Sequence, residues 1–175
     1  ENAQRELAPG EEYKPLLGAE RKWAEVTPYS VTLGLLMVVI FSAAAAYLGL
    51  RVGQVFEAAI PIAIIAVGLT SALGKKEGLG QNVIIQSIGG CSGAVVAGAI
   101  FTLPAIYILG VDVSFMQMFL SSLLGGVLGI LFLIPFRKYF VMEMHGKYPF
   151  PEATATTQIL VSGEGGGKGA GTLLV

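Results

Sequence analysis

Four apolar runs, Val26–Leu50, Val52–Leu73, Val83–Val111 and Val113–Phe136, make up most of this chain and restrict what it can fold into. A helix rises about 1.5 Å per residue and the hydrocarbon core of a bilayer is about 30 Å thick, so roughly 20 apolar residues are needed to cross it. Every run meets that length, and Glu57 is the one charged residue inside any of them, with Asp112 between the third and fourth. The predicted fold is all-α: a polytopic transmembrane helix bundle with four spanning helices at about 27–50, 53–73, 82–109 and 114–136. A lead-in over residues 1–25 precedes them, and a cytoplasmic or re-entrant Pro/Gly-rich segment over 138–175 follows. The composition agrees, because a charged fraction of 13% is about half that of an ordinary soluble domain.

The basic residues orient the bundle. With the N-terminus in the cytoplasm, Arg5, Lys14, Arg21, Lys22, Lys75, Lys76, Arg137, Lys138, Lys147 and Lys168 lie inside and only Arg51 lies outside. The positive-inside bias favours that arrangement, and an integral protein of a bacterial inner membrane is expected. Because these cations are spread over loops rather than gathered on one face, they give no nucleic-acid surface. Cys91 is the only cysteine, so no disulfide or cysteine-based zinc site can form within the chain, and a place at a helix contact is expected for it. The polar start, beginning at Glu1, and the apolar turn at Gly171–Val175 lead us to expect the N-terminal part of a longer protein, with its remaining helices as partners.

Local signals mark the helix ends. Thr27 caps the first helix and Pro28 suits its first position, where a missing N–H is no loss. The small residues Ser42–Ala46 would let helix backbones approach in lipid, where apolar contact alone gives no drive to associate. Arg51, Val52 and Gly53 predict a tight hairpin into the second helix. Glu57 falls inside that helix, four residues before Pro61, which is expected to kink it. Two readings stand for Glu57: a functional ionisable group beside a kink, or an interfacial partner of Arg51. Gly80-Gln81-Asn82 is expected to cap the third helix, whose middle holds Gln86, Gly89, Gly90, Cys91, Ser92 and Gly93. Gly89 and Gly93 form a GxxxG pair, with Gly90, Ala94 and Gly98 as a second small-residue row, and close packing is the expected use. Pro104 should bend the outer end of this helix, and Ser121, Gly125 and Gly129 give the fourth helix a similar face. Beyond Pro135, the prolines at 149 and 151 hold the chain extended up to a short helix over Ala153–Val161, with Pro151 or Glu152 in its first turn.

Catalytic chemistry finds little here. His145 is the only histidine, no Asp/Glu/Cys cluster with metal-ligand spacing surrounds it, and a surface or interfacial polar role is expected. Gly163–Gly167 and Lys168 resemble a P-loop, but Gly169 stands where Ser or Thr is required and no strand precedes it. Neither an enzyme nor a cofactor is expected. Transport fits better, since transporters place substrate near kinked or discontinuous helices. Here Pro61, the Gly89–Gly93 cluster and the Pro149/Pro151 entry are three such interruptions. The alternative is a self-contained four-helix membrane protein acting as a channel subunit or assembly factor.

The order of motifs adds what single motifs lack. Glu12-Tyr13-Lys14-Pro15, Glu25-Val26-Thr27-Pro28, Ala46 through Gly53, Ala59-Ile60-Pro61, Asn82 through Ile88, Ala99 through Ala105, His145-Gly146 and Tyr148 through Ala155 together resemble the oligopeptide transporter (OPT) family. The resemblance is nearest to its bacterial branch, related to the yellow-stripe-like metal-chelate transporters of plants. The chain departs from the pattern at Ala153, where many members carry glycine. The resemblance implies a secondary transporter with well over ten membrane helices, driven by proton symport and acting on oligopeptides or peptide-like metal chelates. It makes Glu57 and Glu152 the acidic candidates for proton coupling, Glu152 having helix capping as its alternative use. Thr154 and Thr156 would stand beside an extended peptide backbone, and Gln86, Gly89, Gly90 and Ser92 would border bound substrate.

Overall fold

The computed structural model describes residues 6–18, 20, 24–75 and 78–163. Arg5, Arg21, Lys22, Lys76, Lys168 and the glycine-rich stretch after Gly163 lie outside the described residues. Those described form helices and no strands: α1 Pro28–Val52, α2 Ala59–Ala72, α3 Leu79–Val95, a π-helical turn Val96–Ile100, α4 Phe101–Ile108, α5 Phe115–Lys138, a second π-helical turn Tyr139–Glu143, and α6 Pro151–Ser162. Among the described residues, three apolar helical runs are long enough to cross a membrane: Pro28–Val52, Leu79–Ile108 and Phe115–Glu143. The fold is that of a polytopic helical membrane protein.

The second of the four anticipated spans differs. α2 has 14 residues, about 21 Å of helix, against the roughly 30 Å of the hydrocarbon core. Two residues set its start. Gly53 takes φ +72° and ends α1, its N–H bonding to the carbonyl of Gly49. Pro61 has no N–H, and the first backbone bond of α2 runs from Ile62 to the Ala58 carbonyl, one residue beyond it. A helix begun at Gly53 would leave the Glu57 carbonyl without its donor and against the proline ring. Pro61 therefore lies in the first turn, where no N–H is needed, and the expected mid-helix kink is absent. Gly53–Ala58 is a non-helical link rather than a tight hairpin.

The chain divides into two compact units. In one, α3 packs against α1, α2 and α6, and α6 packs chiefly on α2. Asn82, Ile85, Gly89, Ser92 and Val96 are its buried positions at alternating three- and four-residue steps, the spacing of a seam between helices. Met37, Ala58, Ile62, Ala66 and Ile85 form the core cluster. Glycines make the close approach possible. A Cβ at Gly34 would stand 2.9 Å from the Cβ of Ile88, and one at Gly89 would stand 2.9 Å from Cγ2 of Ile62. The row through Gly90, Ala94 and Gly98 is different, since Ala94 and Gly98 are exposed. Cys91 is exposed too, so its expected place at a helix contact is not found; its thiol donates to the Ser87 carbonyl at 3.4 Å.

Thr27 caps α1 as expected, accepting from the Ser30 N–H at 3.1 Å while Ser30 Oγ accepts from the Thr27 N–H at 2.9 Å. α3 starts earlier than expected, at Leu79, and Asn82 is no cap. Its side chain instead accepts a 2.6 Å bond from the buried Thr70 hydroxyl, crossing from α3 to α2. With that proton committed, the Tyr29 hydroxyl is the donor in its 3.5 Å contact with Thr70. Lys75 Nζ stands 3.3 Å from the centroid of the Tyr29 ring, a cation–π contact.

The other unit contains Glu1–Ala19 of the lead-in and Thr102–Phe150. Pro104 sits within α4, four residues after Ile100, the last residue of the first π-helical turn. A proline clashes with the carbonyl four residues before it, and the wider π turn relieves that crowding. A ring contact of 4.9 Å joins Tyr13 to the half-buried His145, and Lys147 lies 3.9 Å from the Glu6 carboxylate. Ser114 caps α5, whose residues are all exposed or partly exposed, including Ser121, Gly125 and Gly129.

Candidate functional site

The residues singled out from the sequence fall on three segments of one unit: the link before α2, the middle of α3, and the first half of α6. Glu57 is exposed and precedes the fully buried Ala58. Its carboxylate rests on α3. A Cβ built on Gly93 would stand 2.8 Å from one carboxylate oxygen and 3.0 Å from the other. The pairing with Arg51 is not made; the Arg51 guanidinium lies 5.9 Å from the Tyr47 ring centroid. The N-terminus of α2 has no side-chain cap, so its first-turn amides open directly beside Glu57.

On α3 the chosen residues separate by face. Gly89 meets Ile62 and Met37 and belongs to apolar packing. Ser92, next to Gly93, is fully buried with no hydrogen-bond partner for its hydroxyl. Gln86 and Gly90 come together on a half-buried face, with Gln86 Nε2 3.4 Å from the place a Gly90 Cβ would take. α6 begins at Pro151 with Glu152 in its first turn, exposed, and Thr154 half-buried. Thr156 is 6% exposed, and its hydroxyl also lacks a partner. Thr157 is satisfied differently, donating to the Ala153 carbonyl at 2.7 Å.

Two buried hydroxyls without partners are costly features. Each forfeits about 1–3 kcal/mol relative to a satisfied group. Among the described residues no three His, Cys, Asp or Glu side chains converge as metal ligands. Sequence reasoning gave Gly93 a packing role with Gly89 and did not count it among the site residues, yet it is the glycine that receives the Glu57 carboxylate. The two lie 36 positions apart along the chain, and no local pattern connects them.

The family model described as OPT oligopeptide transporter protein matches residues 25–172, a stretch that includes α1 through α6 and every candidate site residue from Glu57 to Thr156. The chain belongs to the OPT family. An OPT relative from Haemophilus influenzae, described as a putative oligopeptide transporter, is 34% identical over 119 residues. That match takes in 67% of this chain and 18% of the relative, so the chain spans under a fifth of the length of the curated relative it matches. No solved structure matches this OPT chain.

Proposed function

We propose that this chain is the N-terminal part of a secondary active transporter that moves oligopeptides or peptide-like metal chelates by proton symport. Membership of the OPT family over residues 25–172 is the observation that carries the reading. The interrupted helices support it. The non-helical link before α2, the π-helical turn before Pro104 and the 12-residue α6 are features that transporters use around substrate. The unpartnered hydroxyls of Ser92 and Thr156 would bind the amide groups of an extended peptide, which offers both donors and acceptors. Gln86 and Gly90 would border the same path, with Gly89 keeping α3 against α2. Glu57 and Glu152 are the acidic groups for protons to use. Thr154 would assist Glu152 at the start of α6.

Orientation belongs to the same proposal: a bacterial inner-membrane protein with a cytoplasmic N-terminus, by the distribution of its basic residues. The test is uptake of labelled peptides and of peptide-like metal chelates into proteoliposomes holding the full-length protein. Uptake that rises with an imposed proton gradient and collapses with an uncoupler is expected. Glu152→Gln should lower the rate and flatten its pH dependence. An unchanged rate and pH dependence would remove Glu152 from the mechanism, and no uptake of either substrate class would defeat the reading.

A further inference from the structure

We propose that Gly93 is the positioning residue for the Glu57 carboxylate. This rests in part on the transporter reading, because the consequence for coupling follows from it. The contact itself does not. Among the described glycines, Gly93 is the one whose Cβ place is taken by the oxygens of a charged group. At Gly89 the neighbours are Ile62 and Met37, at Gly34 they are atoms of Ile88, and at Gly49 they are Ile100 and Val96. Those glycines let helices approach. Gly93 instead lets a carboxylate lie on the α3 backbone, and the buried glycine is covered by it.

No cationic side chain among the described residues pairs with that carboxylate, and the uncapped amides at the start of α2 lie beside it. Glu57 has no hydrogen bond or ion pair among the described residues. α2, α3 and the π-helical turn after it contain no Asp, Glu, Lys, Arg or His. On α1 the nearest cation in sequence, Arg51, is engaged by Tyr47, and on α6 the sole acidic residue is Glu152. Cys91 is turned to the Ser87 carbonyl. The polar neighbour on α3 is Ser92, adjacent in sequence, fully buried and unpartnered. Glu57 is thus an exposed carboxylate with no counter-charge among the described residues, set where α2 begins. Its place on α3 depends on Gly93 having no side chain. A methyl there evicts the end of a flexible, exposed side chain, so the fold tolerates it while the carboxylate loses its seat.

The experiment uses the full-length protein with Gly93→Ala, Glu57→Asp, the double variant, and Gly125→Ala, at an exposed α5 position with open space for a Cβ, as control. Reaction of Glu57 with a hydrophobic carbodiimide, followed by mass spectrometry across a pH series, reads the carboxylate without requiring transport. Gly93→Ala is expected to change the labelling rate several-fold while melting in detergent stays at the parent value and Gly125→Ala labels like the parent. Glu57→Asp withdraws the carboxylate by one methylene, so adding it to Gly93→Ala should restore contact and return the pH profile of uptake towards the parent. Labelling of Gly93→Ala that follows the parent curve overturns the inference. So does a loss of uptake from Gly93→Ala that is equally large in a Glu57→Gln background. Should Gly93→Ala fail to fold, Glu57→Asp alone decides: unchanged labelling overturns the inference, and altered labelling supports the seat. A parent protein that transports nothing defeats the transporter reading and leaves the labelling result standing.

Discussion

Glycines on one helix face are not equivalent at the scale of a residue. Gly89 faces the branched, fully buried Ile62, whose Cγ2 would stand 2.9 Å from a new Cβ, so neither side can yield. Gly89→Ala should therefore destabilise by about 1–3 kcal/mol, as overpacking does. Gly90, one position on, meets only Gln86 Nε2 at 3.4 Å. Gly90→Ala should gain a few tenths to about 1 kcal/mol from helix propensity. Thermal melting of the purified protein in detergent separates the two by sign. The Thr70–Asn82 bond offers a second test at this scale. Thr70→Val leaves the buried Asn82 oxygen without its donor and should cost about 1–3 kcal/mol by the same measurement. Adding Asn82→Leu should recover part of that loss, because both polar groups are then gone.

Among the elements, two prolines act in opposite ways. Pro61 stands in the first turn of α2, ahead of the first donor at Ile62, so Pro61→Ala should leave stability within about 0.5 kcal/mol. Pro104 lies inside α4 with a π-helical turn just before it, so Pro104→Ala should raise the melting temperature by letting that turn tighten to α. If the turn is part of the path, uptake should fall as stability rises. Most of the elements were legible from apolar runs and end signals: Thr27-Pro28 opens α1, and Pro151 stands in the first turn of α6. The start of α2 was not legible in the same way. Apolarity continues from Val52 through Leu73, and only backbone accounting at Pro61 separates link from helix. Likewise Asn82 read as a cap because its partner, Thr70, is set opposite it by packing of α2 on α3. Of the candidate site, the residue types were visible, whereas the assignment of Gly89 to packing and Gly93 to the carboxylate depends on which neighbour each meets.

For the whole molecule, α5 and α2 represent two ways of being in a membrane. Every described residue of α5 is at least partly exposed, and open space surrounds Gly125 and Gly129. α5 is long and apolar enough to be recognised as a span alone. α2 is not, at 14 residues, and its buried face is fitted to α3. The order of events during synthesis should follow. α2 would enter the bilayer only when α1 and α3 are both present to receive it, so its topology is acquired after translation has passed Val95. A defect in the α2–α3 fit then becomes an error of threading rather than of melting. Gly89→Trp should leave α1 and α5 inserted while a glycosylation or alkylation tag in the Gly53–Ala58 link reports a fraction of chains with α2 on the wrong side. Correct tagging of every chain would show that α2 inserts unaided.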